Sequence, residues 1–332
     1  MKRRQLLKAT GLLTIAAGLP TFASATAGAR AWTQNNGAGH MKFKAGDLEM
    51  MIVTDGHILI KPAQPIIAPG IGNELLATAL ASQFLPNDEI DAAINVLVIF
   101  KEGKTILIDA GSGSGLGPNS GRLLQNLIAV GIHPDSITDI LITHLHIDHI
   151  GGLFDNNGDF VYKNASYTLA RLEHDFWMSK NPDFSQSKNT VSSEPSVSLA
   201  KKTIKSINHK LALFEFGEVL FGCIKTELAE GHTPGHPCLT IFSGDHELKH
   251  IVDLVHTSLL ISHPEWGTQW DTNFNKAVAT RQRILKQLAA SKAPVISCHL
   301  PWPGLGYIVA DYKQDYDWKP MSFSTPQLYE AS

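Results

Sequence analysis

Three histidines and one aspartate lie within six residues of one another near the middle of this 332-residue chain. They are His144, His146, Asp148 and His149, in the order H-x-H-x-D-H. Neutral imidazole and carboxylate are the ligands that zinc and similar divalent ions take from proteins. A lone histidine is usually a surface or half-buried side chain, and the chain has 15. Four ligand-type residues in this order are much harder to explain that way, so the pattern predicts a metal site.

The spacing of this cluster favours two ions over one. If the segment begins extended, His144 and His146 point the same way, because side chains alternate along an extended chain. Asp148 and His149 are adjacent in sequence and cannot easily follow that pair onto one tetrahedral ion. The apolar segment 139–143 reads as a short strand that ends just before the cluster. We therefore expect the cluster on a loop at the end of a strand.

The string T-H-L-H-I-D-H-I-G-G, from Thr143 to Gly152, resembles the signature of the metallo-β-lactamase superfamily. The resemblance implies an α/β fold, a four-layer αββα sandwich with a metal site at one edge of two packed sheets. Two more family motifs are present further along the chain. One is G-H-T-P-G-H, in which His232 matches a family ligand and His236 is expected to hold the loop. The other is His299, at the end of an apolar strand, where the family places its last ligand.

By this resemblance two divalent ions bind each chain, zinc first, with manganese, iron or cobalt as alternatives. One ion takes His144, His146 and His232; the other takes Asp148, His149 and His299; Asp253 bridges them. A hydroxide between the ions is the implied nucleophile, and the implied catalytic residues are Asp148 and Asp253. Asp109, in a D-A-G string, is expected to support the metal loop from outside, since ligating histidines need such partners. The alternative for Asp109 is an ordinary turn aspartate.

Two aspartates compete for the bridging position. Asp245 follows a glycine, as the family's bridging aspartate usually does, whereas Asp253 follows Val252. A hairpin that leaves the site at His232 has its turn at the far end, where Asp245 lies. Its return strand comes back to the site at Asp253, so we choose Asp253 as the bridge.

The elements around these motifs fit a layered α/β protein. Strands are expected within 48–56, 93–100, 105–108, 139–143, 165–170, 211–221, 239–242, 249–253 and 293–297. Helices are expected over 73–83, from a Ser120 cap to Gly131, and over 276–290 with a start at Asp271 or Thr272. Residues 178–200 are polar and are expected to form a mobile insertion. His174 and Asp175 are interpreted as a decoy rather than a second metal site.

The strings D-L-V-H, Q-W-D-T and H-L-P-W-P-G-L-G, between Asp253 and Gly306, most resemble methyl parathion hydrolase and related lactone-hydrolysing enzymes. This implies a hydrolase for a small hydrophobic ester-like substrate: a lactone, an aryl ester or an organophosphate triester. Trp177 and Trp302 are expected to contact the substrate through their apolar faces, the alternative being that both pack in the core. The other hypotheses are a β-lactamase-type amide hydrolase and a non-catalytic, metal-stabilised periplasmic protein.

Residues 1–29 have the pattern of a secretory signal, with four basic residues, an apolar run and then small residues. Arg3 and Arg4 favour the twin-arginine route. We expect a periplasmic or secreted protein with no stable membrane insertion after processing. Residues 30–332 are expected to form one hydrolase domain, because no composition shift marks a boundary.

The net charge and the cysteine count limit the possible partners and cross-links of the chain. The whole chain has a formal net charge of −3, and removal of the basic signal makes the rest more acidic. This argues against a nucleic-acid partner. Three cysteines, Cys223, Cys238 and Cys298, allow one disulfide or three buried thiols. The oligomeric state stays open, a homodimer included.

Overall fold

Two mixed β-sheets organise the chain, and the computed structural model describes residues 39–313, 315–323 and 329–331. The predicted signal, 1–29, lies outside these residues. The first sheet has the order β15-β1-β2-β3-β4-β5-β6-β7. Its strands are β1 (His40–Ala45), β2 (Leu48–Ile60), β3 (Ile90–Lys101), β4 (Lys104–Ile108), β5 (Asp139–Ile142), β6 (Ser166–Ala170), β7 (Leu211–Phe214) and β15 (Tyr329–Ala331).

The second sheet has the order β14-β13-β12-β11-β10-β9-β8. Its strands are β8 (Val219–Leu220), β9 (Ile224–Leu228), β10 (Pro237–Ser243), β11 (His246–His250), β12 (Val295–Ile296), β13 (Leu305–Ala310) and β14 (Tyr316–Pro320). The helices are α1 (Asn73–Ser82), α2 (Leu123–Ala129), α3 (Ile147–Ile150), α4 (Arg171–Met178), α5 (Glu194–Ile207), α6 (Leu259–Ser262) and α7 (Phe274–Ser291).

Three buried clusters separate four layers. In β2, Met50 and Ile52 face the cluster between the two sheets, while Met51 and Val53 face the cluster under α2 and α5. This follows from the two-residue period of a strand. The third cluster lies between the second sheet and helices α1, α6 and α7. Helix, sheet, sheet and helix therefore stack in the order predicted, and the αββα fold is confirmed.

Two local predictions are wrong. Ser120 does not cap α2; instead the Asp55 carboxylate accepts hydrogen bonds from the backbone N–H groups of Gly121 and Leu123. The Asp55 carboxylate, 66 residues from Gly121 in sequence, thus accepts the backbone N–H groups that the Ser120 hydroxyl was expected to accept. The helix at 276–290 is α7, and its cap is Asn273, whose side chain accepts from Lys276 N. Neither Asp271 nor Thr272 begins it.

The segment 178–200 is also not one mobile insertion. Its last residues begin α5, whose Val197 and Ala200 are buried in the core beneath the first sheet. Apolar residues at helical spacing, continued by Ile204 and Ile207, give the helix an inner face. Residues 179–193 form no helix or strand, but Phe274 N donates to Gln186 O and Ser187 Oγ to Gln269 O.

In the part of the chain described, no helix has the length and apolar character needed to cross a membrane. All three cysteines are buried free thiols. The alternative of three small buried side chains therefore holds for Cys223, Cys238 and Cys298.

Gly231 gives a first prediction. Its φ is +129°, and a Cβ there would lie 2.1 Å from Ala277 N at the start of α7. Gly231→Ala should lower the free energy of unfolding by about 1–3 kcal/mol, since both the backbone and the contact become strained. Urea unfolding measures it. Gly244→Ala is the control, because Gly244 also has a positive φ but no atom within 4 Å of a Cβ. Equal losses in the two variants would contradict the role given to the α7 contact.

Candidate metal centre

The ends of neighbouring strands bring the H-x-H-x-D-H cluster into position. His144 and His146 lie on the loop after β5, and Asp148 and His149 lie on the single turn α3. Asp109, at the end of the adjacent strand β4, accepts hydrogen bonds from Thr143 N at 2.8 Å and Thr143 Oγ1 at 2.7 Å. The loop is therefore fixed to the sheet at its first residue.

One group of side chains that could hold a metal ion comprises His144, His146, His232 and Asp253. His144 Nε2 lies 3.1 Å from His146 Nδ1, which lies 2.9 Å from His232 Nε2. His232 Nε2 lies 3.3 Å from Asp253 Oδ2. All four potential ligand atoms lie within 4.8 Å of one another.

A second group comprises Asp148, His149, Asp253 and His299. His299 Nε2 lies 3.2 Å from Asp253 Oδ2 and 3.4 Å from Asp148 Oδ2. His149 Nε2 lies 3.2 Å from Asp253 Oδ1. Asp253 is thus common to both groups. The seven residues predicted as ligands are all brought together, in the same two sets.

The donor set fits divalent ions. Ligands about 2.0–2.1 Å from a tetrahedral zinc lie about 3.3 Å from one another, close to the spacings seen here. His149 Nε2 and Asp253 Oδ1 are buried and have no hydrogen-bond partner among the described residues. Buried polar atoms are normally paired, so these two atoms indicate a missing partner between them. A bound cation would provide one.

Four of these histidines, His144, His149, His232 and His299, direct Nε2 into the groups that could hold a metal. The other ring nitrogen of each, Nδ1, lies near an oxygen. His149 Nδ1 donates to Asp109 Oδ2 at 2.8 Å, and His232 Nδ1 donates to Asp271 Oδ1 at 3.0 Å. His299 Nδ1 donates to a backbone carbonyl, Ala93 O, at 2.8 Å.

The fourth, His144 Nδ1, lies 3.1 Å from Thr143 Oγ1, whose own proton goes to Asp109. We assign the proton to Nδ1 in all four rings. In the neutral form of each ring the Nε2 lone pair is then free for a metal, and such outer partners fix both the tautomer and the ring orientation. Asp109 therefore holds the loop through Thr143 N, orients His149 by a direct hydrogen bond, and orients His144 through Thr143 Oγ1.

Asp253 is buried just after β11, whereas Asp245 is exposed in the turn between β10 and β11. The hairpin geometry argued from sequence thus places the two aspartates at opposite ends of β11. His236 holds the loop as expected, because its Nδ1 donates to Ala229 O and its Nε2 accepts from Asp253 N. Val252 has a φ of +49°. A left-handed residue is required there, which explains why the family favours glycine.

Charge compensation shapes the pKa values of the site. Burial alone would raise the pKa of Asp253, but the nearby imidazolium groups of His149 and His299 hold it well below its usual range. Burial alone would lower the pKa of His232, but hydrogen bonds to Asp253 and Asp271 raise it to about 9. Burial, reinforced by His232, lowers the pKa of His146 to about 3. The site therefore keeps the Asp253 carboxylate ionised.

Glu173 is a site residue that the sequence reasoning missed. It is fully buried, and its Oε2 accepts from Thr233 Oγ1 at 2.6 Å and Gly235 N at 2.9 Å, within the G-H-T-P-G-H loop. Its Oε1 accepts from Leu145 N, in the other metal loop, at 3.2 Å. One carboxylate thus ties the two histidine-bearing loops together. A buried glutamate cannot be told from an exposed one by sequence alone.

The two groups open into a pocket. Trp177 lines it and is fully buried, with Nε1 donating to Glu173 Oε1 at 2.6 Å. His256 and Trp270, which the sequence reasoning quoted without a role, also line it. His256 stacks on His299 with ring centroids 5.0 Å apart.

Trp302 is placed differently from the prediction. It lies outside the pocket lining, and its side chain is 42% exposed. It belongs to a tight turn closed by a hydrogen bond from Gly304 N to Pro301 O, and this turn directs the indole to solvent. Trp270, together with Trp177 and Phe184, is among the aromatic residues that line the pocket. His174 and Asp175 pair with each other, outside the two metal-type groups.

The sequence matches the family model described as "Metallo-beta-lactamase superfamily" over residues 91–299. This span includes all seven predicted ligands. The chain belongs to the metallo-β-lactamase superfamily. A comparison with curated protein sequences gives no match.

Solved structures show the same fold. AidC, a dizinc quorum-quenching lactonase solved with the product N-hexanoyl-L-homoserine, is 37% identical, covers 86% of this chain and 99% of its own, and has a TM-score of 0.82. The hydrolase AbOPH is 26% identical over 87% of this chain and 99% of its own, with a TM-score of 0.78. A probable metal-dependent hydrolase from Staphylococcus aureus, 20% identical, covers 85% of this chain and all of its own at a TM-score of 0.67, and shows the fold alone.

Asp271 gives a second prediction. Asp271→Asn should lower zinc affinity about 10-fold or more with all seven potential ligands intact, since a neutral oxygen holds the His232 Nδ1 proton less strongly. Competition with a chromogenic chelator measures it. Asp175→Asn is the matched control, because Asp175 also faces a histidine Nδ1, at 2.8 Å, but on the exposed surface. A similar loss in the control, or none in Asp271→Asn, would contradict the assigned role.

Proposed function

We propose that this protein is a binuclear metal-dependent hydrolase that opens lactones. His144, His146 and His232 would hold one ion, and Asp148, His149 and His299 the other. Asp253 would bridge them. The observation that carries the proposal is the buried Asp253 carboxylate shared by two ligand groups at the base of a pocket.

The number of ligand-type side chains supports a catalytic rather than a structural role. A structural zinc is satisfied by four protein ligands and is closed to solvent. Here seven side chains surround two positions. Five of them line the pocket: His146, Asp148, His232, Asp253 and His299.

Divalent ions bound there polarise a substrate carbonyl and supply hydroxide at neutral pH by lowering the pKa of water to ~7. The chain's own residues do the rest. Asp253 stays ionised; its Oδ2 faces His232 of one group and His299 of the other, and its Oδ1 faces His149. His256 Nε2, 3.3 Å from Asp253 Oδ2, holds a proton against that carboxylate. The apolar side of the pocket, which includes Ile58, Leu116 and Phe184, excludes water from the substrate.

Lactone is favoured over other esters by the similarity to AidC, a lactonase 37% identical over 86% of this chain. The pocket agrees with this assignment, because it is mixed in character. Serine, asparagine and glutamine side chains line it together with apolar residues. A lactone with a substituent of mixed polarity suits such a lining.

The proposal predicts a substrate ranking. Zinc-loaded protein should open a γ-lactone with a kcat/KM at least about tenfold above those for an aryl ester, a phosphotriester and a β-lactam, since specificity is a ratio of such values. Chelation should abolish the activity and zinc should restore it. Asp253→Ala should be inactive, whereas Asp245→Ala, an exposed aspartate on the same hairpin, should keep full activity. Preference for the phosphotriester or β-lactam would overturn the substrate. A metal requirement for thermal stability but no turnover would favour the non-catalytic hypothesis.

We also propose that residues 1–29 export the protein, on the sequence pattern alone. In the periplasm or outside the cell, the site would be exposed to lactones that arrive from the surroundings.

A further inference from the structure

The backbone just before Asp253 takes a conformation that its own side chain disfavours. Val252 is fully buried and has a φ of +49°, in the left-handed region. A positive φ is unfavourable for residues other than glycine, and it is a marked exception for a β-branched one. Such a residue keeps this conformation only when the surrounding structure holds it there. Because Val252 directly precedes Asp253, this conformation sets the direction in which the Asp253 carboxylate points.

Two imidazole rings accept the backbone N–H groups at this point of the chain. Val252 N donates to His250 Nδ1 at 3.1 Å, and Asp253 N donates to His236 Nε2 at 3.0 Å. A buried N–H group without a partner is costly, so each ring favours the conformation that brings its donor to it. His236 belongs to the G-H-T-P-G-H loop, whereas His250 is the last residue of β11. The left-handed residue therefore has an acceptor of its own in the strand that precedes it.

His250 is neither a candidate metal ligand nor part of the pocket wall. It is buried, it is absent from the groups of described side chains that could hold an ion, and it does not line the pocket. Burial, reinforced by the charge of His149, lowers the pKa of His250 to about 3. The ring is therefore neutral at physiological pH, with its proton on Nε2 and a lone pair on Nδ1 for the Val252 N–H.

We propose that His250 is a positioning residue that allows a valine to precede the aspartate shared by both metal-type groups. Its ring accepts the Val252 N–H, stabilises the left-handed backbone and thereby keeps Asp253 directed at both groups. A glycine adopts this conformation without such help. This inference rests on the proposed function, in which Asp253 binds two ions, and it adds a residue that controls how firmly this shared ligand is held.

The test is a double-substitution cycle in which zinc affinity is measured by competition with a chromogenic chelator. His250→Leu removes the acceptor and leaves an apolar side chain in the core. It should lower zinc affinity about tenfold or more, because affinity falls with the fraction of molecules in which Asp253 is correctly placed. In the Val252→Gly background, the loss caused by His250→Leu should shrink to about threefold or less, since glycine holds the conformation unaided.

Each loss is taken relative to its own background, so the effect of Val252→Gly itself cancels. A loss of equal size in the two backgrounds would overturn the proposal, because His250 would then act without regard to the conformation of residue 252. No loss in His250→Leu alone would overturn it as well.

His250→Asn is the conservative variant. An asparagine oxygen accepts from the backbone N–H two residues further on, which is the contact that His250 makes. Zinc affinity should therefore stay within about threefold of wild type, although asparagine fills less of the core. A loss as large as that of His250→Leu would assign His250 to packing alone and overturn the proposal. If thermal unfolding shows that His250→Leu is misfolded in both backgrounds, zinc affinity in His250→Asn decides: near wild type supports the proposal, and a loss of about tenfold or more overturns it.

Leu248→Ala is the matched control. Leu248 is also buried on β11, two residues before His250. Its truncation weakens the core but leaves the acceptor of the Val252 N–H in place. Any loss of zinc affinity in this variant should be the same in both backgrounds. Rescue by Val252→Gly here too would overturn the proposal, since glycine would then relieve damage to the strand in general.

Zinc binding is measured without substrate, which separates this inference from the proposed function. Lactone opening by zinc-loaded wild type is measured alongside. If wild type opens no lactone but Val252→Gly rescues His250→Leu, the proposed function fails and the role of His250 stands. If wild type opens lactones and the loss is equal in both backgrounds, only the role of His250 fails.

Discussion

The buried carboxylate of Asp253 is the constraint on which the rest of the structure depends. Only 2% of its surface is exposed, and burying a charge is costly unless it is paired. Five imidazole nitrogens lie 3.2–3.6 Å from its two oxygens: those of His144, His149, His232, His256 and His299. Four of these nitrogens face Oδ2 and that of His149 faces Oδ1. One carboxylate is thereby shared by both groups that could hold a metal ion.

The fold meets this constraint by directing strand ends from both sheets to one place. The loop after β5, fixed to the end of β4, brings His144 to His149 from the first sheet. The second sheet contributes Asp253 after β11 and His299 after β12, which pair in parallel. The apolar cluster between the sheets sets the distance between these contributions, because it contains Leu141 of β5 and Ile296 of β12. The geometry of the site is therefore a consequence of how the two sheets pack.

Much of the site could be predicted because its ligands lie in short motifs at strand ends. His144 to His149 are adjacent in the chain, and the choice of Asp253 needed only the direction of a hairpin. The residues that were missed act over long sequence separations. Glu173 contacts residues 28 and 62 positions away. Sequence types do not reveal whether a glutamate or glutamine is buried. The exposure of Trp302 could not be predicted for a related reason, since the direction of an indole in a turn depends on backbone geometry.

The most direct measurement of the central claim is anomalous diffraction at the zinc edge from crystals of the zinc-loaded protein. We expect two peaks about 3.5–4 Å apart, the separation of two-metal hydrolase sites, with the Asp253 carboxylate in contact with both. His144, His146 and His232 should surround one peak, and Asp148, His149 and His299 the other. A single fully occupied peak, or two peaks of which Asp253 touches only one, would contradict it.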